Sequence, residues 1–334
     1  MNNLYEIKKI FGSDISLLNK KENYTVIDYG KIDGKGILSI YNLFKGVQLV
    51  FIDFKSETCL HSSRLIDNIF EINYCFEGRF ECEFPNHTFT YLGEGDLAIN
   101  SMENLAINSS FPLKIYYGIC ILIDMDVASS EINNLLNFFS ISLNDIYNQL
   151  NLKENCYVCR STSKIKHIFC ELYENKEDID INYAKIKLIE LLHFFSTLSL
   201  ENKYDVQYYT SNQVYKVKHI RDHIIEHDDR RFSLDKLTKE HEISLTLFKR
   251  CFKEIYGDTP YSYVRKYKMN KAALMLRLKN ININEIAISL GYKNASKFSE
   301  AFKSVMGTTP SEYRKKINDF LEQDNPFRVE EKIK

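Results

Sequence analysis

From about residue 24 to 125, apolar and polar positions alternate in short runs separated by turn residues, the period of half-buried β-strands. Phe70, Ile72, Tyr74 and Phe76 alternate with Glu71, Asn73 and Cys75, and the pattern predicts a turn at Glu77-Gly78 before a strand from Arg79 to Phe84. Pro85-Asn86 predicts the next turn, ahead of Thr88 to Leu92. Gly93-Glu94-Gly95-Asp96 predicts another, ahead of Leu97-Ala98-Ile99. Ile115 to Ile123 is a nearly unbroken apolar run, suited to a central strand. Short strands at this spacing predict a small barrel or sandwich. Between about 130 and 200 the period becomes helical. Ile132, Leu135, Leu136 and Phe139 form one stripe; Ile165, Ile168, Phe169 and Leu172 a second; Ile186, Ile189, Leu192, Phe194 and Phe195 a third, so three helices are expected. Residues 201–212 are polar and aperiodic and read as a linker, and the segment after Ile317 as a loosely held tail.

Beyond the linker the pattern repeats itself. Phe248, Phe252-Lys253, Gly257, Thr259-Pro260 and Tyr263 recur 50 residues later as Phe298, Phe302-Lys303, Gly307, Thr309-Pro310 and Tyr313. Each part has a physical reading. Phe at i and i+4 lies on one helix face and packs inward. Gly ends the helix, since it takes the left-handed conformation at little cost. Thr caps the next helix, Pro fits its first turn, and Tyr packs back on the unit. Upstream of the second copy stand Asn284-Glu285-Ile286-Ala287-Ile288-Ser289-Leu290 and then Gly291, a short helix and a glycine turn. The small Ala287 lets the following helix cross closely, which is the helix-turn-helix pattern. Upstream of the first copy, Leu234 to Lys239 supplies the short helix and Ser244 the cap of the next.

Charge gives this region a partner. The whole chain is close to neutral at −1, yet Asn212 to Lys316 holds 22 Lys and Arg against 12 Asp and Glu. A strongly basic segment within a neutral chain points to a polyanion, and the acidic remainder keeps the rest of the chain off it. The 334 residues suffice for about two domains. No run of eighteen apolar residues predicts a membrane span, and the N-terminus lacks the marks of a signal peptide, so a cytoplasmic protein is expected. Eight cysteines spread over this length fit a reducing compartment. Cys156 and Cys159 form a Cys-x-x-Cys, read either as a redox or metal pair or as two ordinary thiols near a helix start; with no second ligand pair nearby, the second reading is favoured.

The repeat resembles the DNA-binding domain of the AraC family of transcription regulators. The resemblance rests on Ile286-Ala287, Gly291-Tyr292, Phe298, Ala301-Phe302-Lys303, Gly307 and Thr309-Pro310-Ser311-Glu312-Tyr313-Arg314, and on a joining helix from Tyr263 to Leu276. It covers roughly residues 213–316. It implies an α+β protein: a cupin-like N-terminal β-barrel that senses an effector (1–125), a helical dimerisation or linker region (126–205), an all-α double helix-turn-helix domain (212–316) and a tail (317–334). By the same resemblance the partners are double-stranded DNA and RNA polymerase, most relatives activate transcription, and a homodimer is expected. The second helix of each unit enters the major groove, with the two about one turn or ~34 Å apart. The base-facing positions then fall on Thr246, Lys249 and Arg250 in the first unit and on Ala295, Ser296, Lys297, Ser299 and Glu300 in the second. Lys and Arg suit guanine, Ser and Thr either base type, and Ala a thymine methyl. Lys253, Lys303, Arg314, Lys315 and Lys316 are assigned to phosphate. Two positions depart from the family's habit. Glu242 stands where Gly is frequent, which costs about 1–2 kcal/mol if that residue is left-handed, unless the turn takes another shape. Glu300 stands where a basic residue is common, and can accept from cytosine N4 instead.

For the front domain, Glu77-Gly78-Arg79-Phe80 and Gly95-Asp96-Leu97-Ala98-Ile99 are similar to turns of a cupin-like barrel. A small-molecule effector in its mouth would be lined by Phe70, Ile72, Tyr74 and Phe76; a barrel core without ligand explains the same residues equally well. His61 and His87 are not spaced for a metal site, and no cofactor is expected. Two other classes are weighed. An enzyme with an activated cysteine would draw on Cys75, Cys82 or Cys120, which lie in apolar strand-like runs without a base. A front domain that only dimerises would bind no ligand.

Overall fold

The computed structural model describes residues 15–30, 34–57, 68–102, 106–128, 130–153, 156–198, 207–228, 232–277 and 281–323. The chain divides into two compact units, Met1–Ser211 and Asn212–Lys334.

Antiparallel strands build the first unit: β1 (Ser16–Lys20), β2 (Tyr24–Tyr29), β3 (Lys35–Phe44), β4 (Val47–Lys55), β5 (Ile69–Glu83), β6 (Thr88–Gly93), β7 (Asp96–Ser101), β8 (Asn108–Ser110), β9 (Tyr116–Asp124), β10 (Tyr157–Arg160) and β11 (Tyr209–Thr210). Their pairing runs β1-β2-β3-β4-β9-β5-β6-β11, with β7 and β8 also on β5 and β10 on β7. Among the described residues no rung returns to β1, so the strands form an open path. The apolar run of β9 is central, paired with β4 on one side and β5 on the other, and Ile119 to Ile123 are buried on both faces.

The turn expected at Glu77-Gly78 is instead a bend inside one 15-residue strand. The register of β5 against β9 slips between Cys75 and Glu77, a β-bulge. Gly78 takes φ +98°, and a Cβ there would lie 2.1 Å from the Ile115 carbonyl oxygen, so only glycine permits the approach. The bend lets β5 pair with β7 through Phe70–Tyr74 and with β6 through Arg79–Glu83.

Helices cover one face of this sheet: α1 (Ser130–Phe138), α2 (Leu143–Gln149), α3 (Ser163–Glu174) and α4 (Ile181–Ser196). Three helices were expected here; α2 and β10 are additional, and at seven and four residues neither is long enough to show a period. The even positions of β5, Phe70, Ile72 and Tyr74, join the core beneath these helices with Ile165, Ile168, Phe169, Leu188 and Leu192. Its odd positions Ile69 and Cys75 join a second core with Ile27, Leu38, Val50, Phe54, Tyr116 and Leu122. A polar clamp fastens α3 to the sheet: Lys176 Nζ donates to both Asp53 carboxylate oxygens at 3.0 Å, and the Tyr173 hydroxyl donates to Asp53 at 3.2 Å. The stretch read as a linker ends in β11, where Tyr209 pairs with Phe89.

Among the described residues, the second unit is helical: α5 (Ser211–Glu226), α6 (Leu234–Glu240), α7 (Leu245–Tyr256), α8 (Pro260–Leu276), α9 (Ile283–Ser289), α10 (Ala295–Met306) and α11 (Pro310–Gln323). Helix α8 is the spine of the second half. Its Met269, Ala272, Ala273 and Leu276 pack on Ile286, Ala287, Leu290, Phe298 and Phe302. The expected tail is helical to Gln323, and residues 324–334 lie outside the described residues.

Candidate nucleic-acid interface

The two helix-turn-helix units, α6–α7 and α9–α10, are built by the same local bonds. The N–H groups of His241, Glu242 and Ile243 donate to the carbonyls of Leu237, Lys239 and Thr238 at 3.1, 3.1 and 3.0 Å. Those of Leu290, Gly291 and Tyr292 donate to Ile286, Ile288 and Ala287 at 3.2, 2.9 and 2.9 Å. Glu242 is left-handed, at φ 50°, as is Gly291 at 78°. The turn therefore keeps one shape, and the first unit bears the strain of a side chain there. These turns are offset by 49 residues and the helices that follow by 50; the extra residue, Lys293, stands between the turn and the cap of α10.

Caps fix where each recognition helix begins and ends. Ser244 Oγ accepts from the Leu247 N–H at 3.2 Å, and Asn294 Oδ1 from the Lys297 N–H at 2.9 Å. Gly257 and Gly307 close the helices at the same φ of 75°. Thr259 and Thr309 then cap α8 and α11, accepting from Ser262 and Glu312 N–H groups at 3.4 and 3.3 Å. Glu312 accepts in return from the Thr309 N–H at 2.9 Å. Inside, Phe252 meets Tyr263 edge-on at 5.5 Å and 80°, and Phe302 meets Tyr313 at 5.5 Å and 75°. Phe248, Phe252, Phe298 and Phe302 are fully buried.

With the Phe faces turned inward, Thr246, Lys249 and Arg250 on α7 and Ser296, Lys297 and Glu300 on α10 are exposed, while Ala295 and Ser299 are half-buried. Lys297 Nζ lies 2.9 Å from Glu300 Oε2, and this hydrogen bond and charge hold the Glu300 carboxyl below its ordinary range. Of the residues assigned to phosphate, Lys253, Lys303, Lys315 and Lys316 are exposed. Arg314 is half-buried, and its guanidinium donates to the Ile281 carbonyl at 2.7 Å, tying α11 to the approach to α9.

Three polar ties were not anticipated. Lys268 Nζ donates to the Leu290 carbonyl at 2.9 Å, closing the C-terminus of α9. Lys271 pairs at 2.8 Å with the buried Asp228, which follows α5. Arg221 reaches the Tyr263 hydroxyl at 2.8 Å. A lysine or arginine on a helix looks the same in sequence whether water or a carbonyl, carboxylate or hydroxyl of the protein accepts its hydrogen bond, so composition carried no signal for them.

In the first unit, the residues expected to line an effector site serve a packed core. Tyr74 stacks on Phe169 at 4.4 Å and 7°, and Phe76 lies 4.4 Å from Tyr173, both on α3. The sheet's polar residues sit on the opposite face of β5. There Glu71 accepts from Asn100 at 3.0 Å and from the Cys120 thiol at 3.3 Å, and Tyr116 donates to Asn73 at 2.9 Å. Burial pushes the Cys75 thiol up to about 12 and Cys120 well above its usual value, the opposite of what an activated nucleophile needs. Cys156 and Cys159 flank opposite faces of β10, in the two different cores. Three residues of extended chain separate them by about 10 Å, too far for a disulfide. His61 lies outside the described residues; among those described, no group of three or more ligands could hold a metal. No helix among them is long and apolar enough to cross a membrane.

Two capped helix-turn-helix units on one packed spine make the C-terminal unit a double helix-turn-helix domain. Residues 237–316 match a family described as a helix-turn-helix domain. The regulatory protein SoxS of Escherichia coli is 32% identical over 94 residues, 28% of this chain and 88% of SoxS. The chain belongs to the AraC family of helix-turn-helix regulators. The transcriptional regulator MtrA of Neisseria gonorrhoeae is 27% identical over 100 residues, 30% of this chain but only 33% of MtrA, so the match spans a third of that relative's length. ToxT from Vibrio cholerae aligns over 82% of this chain and 97% of its own at 13% identity, with a TM-score of 0.27, a value at which nothing about this chain follows.

Proposed function

We propose that this chain is a sequence-specific DNA-binding transcription regulator working in the cytoplasm. The observation that carries the reading is the pair of recognition helices, each capped by a side-chain oxygen, closed by a left-handed glycine and anchored by a Phe pair, and each presenting an exposed polar face from a unit of net positive charge. Thr246, Lys249 and Arg250, with Ala295, Ser296, Lys297, Ser299 and Glu300, read base edges; Lys253, Lys303, Arg314, Lys315 and Lys316 hold phosphate, Arg314 while also tied to the Ile281 carbonyl. RNA polymerase is the further partner, and activation the expected outcome, on the pattern of the family.

The first unit, in this proposal, is a cupin-like sensor that responds to a small-molecule effector, and its helices carry the contacts of a homodimer. Effector and dimer state shift the balance between pre-existing presentations of the DNA-binding units. A first unit that only dimerises is the alternative; a ligand that raises the melting temperature of the full chain separates the two.

The test of the central reading is selection of random duplex DNA by the full chain. Enrichment of a bipartite site with halves about 10 base pairs apart supports it. Binding that depends on salt and not on sequence refutes it.

A further inference from the structure

Helices α7 and α10 are the same twelve-residue element displaced by 50 residues, so their exposed positions can be compared one for one. Counting about 100° per residue, the inward Phe pair centres near 20°, and the residue two places after the first Phe points the opposite way, near 200°. That residue is Arg250 in α7 and Glu300 in α10. A hydroxyl stands one turn before it in both (Thr246 and Ser296), and a lysine three places after it in both (Lys253 and Lys303). The two faces share that hydroxyl and that lysine; they differ at Lys249 against Ser299, at Leu247 against Lys297, and in the sign of the charge at their centre.

The two charges select different bases. Arginine is a donor fork that fits guanine O6 and N7. A carboxylate only accepts, so it fits cytosine, which presents the N4 amine alone. Guanine and thymine repel it with O6 or O4, and adenine sets N7 beside its N6 amine. The Lys297 ammonium, 2.9 Å from Glu300, gives the carboxylate a counterion to carry into the groove. In a C·G pair the cytosine amine lies beside guanine O6, so a carboxylate and an ammonium held side by side match the two edges of that pair.

We infer which base each recognition helix reads at its outermost position: the first helix-turn-helix reads guanine through Arg250, and at the equivalent position the second reads cytosine through Glu300, with Lys297 on the paired guanine. This rests on the DNA-reading function proposed above.

The experiment is selection of random duplex DNA by the full-length protein in three forms: unaltered, Glu300→Arg and Glu300→Gln. Residue 300 is highly exposed, so both variants are expected to fold, which circular dichroism checks. The unaltered chain is expected to enrich guanine in one half-site and, about one turn along, cytosine at the equivalent position of the same strand. Glu300→Arg moves only that second preference to guanine, and Glu300→Gln moves it to adenine, each by tenfold or more in relative enrichment, roughly the value of one good side-chain-to-base match. The inference is overturned if the unaltered chain enriches the same base in both halves, if only the first half is enriched, or if neither variant changes the second. If no bipartite site appears at all, the DNA-reading function itself fails, which is a different result.

Discussion

Glu242 gives the most direct test of the helix-turn-helix geometry. Its φ of 50° is left-handed, where a side chain other than glycine costs about 1–2 kcal/mol. Glu242→Gly removes that strain. Against it stands the greater freedom glycine has in the unfolded chain, about 0.5–1 kcal/mol. Among the described residues, the side-chain partner of Glu242 is Lys216 at 4.0 Å, with the glutamate 89% exposed, so that pair contributes next to nothing. The bond from Lys216 Nζ to the residue 242 carbonyl, at 3.0 Å, survives the change. The centres of the two ranges leave an expected gain of about 0.75 kcal/mol in the first helix-turn-helix. Cys251 reports it: the thiol is fully buried on α7, so alkylation there requires the unit to open. Labelling of the full chain, read at Cys251 by peptide mass, is expected to slow about two- to fivefold, the same energy expressed as an opening equilibrium. Gly291→Ala, at the matching position of the second turn, is expected to lose about 1 kcal/mol of stability. Unchanged or faster labelling in Glu242→Gly refutes the left-handed turn.

The bend of β5 and the half-buried Glu71 carboxyl of the sheet give two more expected outcomes. Gly78→Ala forces a Cβ against the Ile115 carbonyl at positive φ, and is expected to cost more than about 2 kcal/mol in the first unit, measured by denaturant unfolding; a loss below half of that argues for a turn in place of the bulge. Burial raises the Glu71 carboxyl above its ordinary value, more than the Asn100 and Cys120 hydrogen bonds lower it. The folded state therefore favours the protonated acid, so Glu71 destabilises progressively as pH rises from its unfolded value, about 4.3, through the raised folded one. Glu71→Gln is accordingly expected to raise the melting temperature at pH 7 and not at pH 4, and an equal change at both pH values would assign the effect to packing alone.

The second unit was far more legible in sequence than the first, for a physical reason. A recognition helix is specified locally: a cap, two Phe residues four apart, a left-handed glycine and Thr-Pro all lie within sixteen residues of one another. In the sheet, alternation assigned Phe70, Ile72 and Tyr74 to one face but could not say what covers it; α3 does, from some 95 residues away. Gly78 shows the limit most plainly. A turn and a bulge both call for glycine at positive φ, and only the close approach of Ile115, a residue distant in sequence, decides between them. The repeat itself hides a similar limit. Counted from its Phe residues it is displaced by 50, but the turns before those helices are displaced by 49, with Lys293 as the difference. Everything after the recognition helix is identical in spacing because Tyr263 and Tyr313 must land edge-on upon Phe252 and Phe302. The segment before it tolerates Glu or Gly and one residue more, since Glu242 and Lys293 are both exposed and their backbone bonds need no particular side chain. Ring packing fixes the exit of each recognition helix to the residue, whereas its entry, held by backbone hydrogen bonds, a cap and the packing of the preceding short helix, accommodates one residue more. The two units can therefore differ in how they approach DNA, and at Arg250 and Glu300 in what they meet there, while remaining one design in their cores.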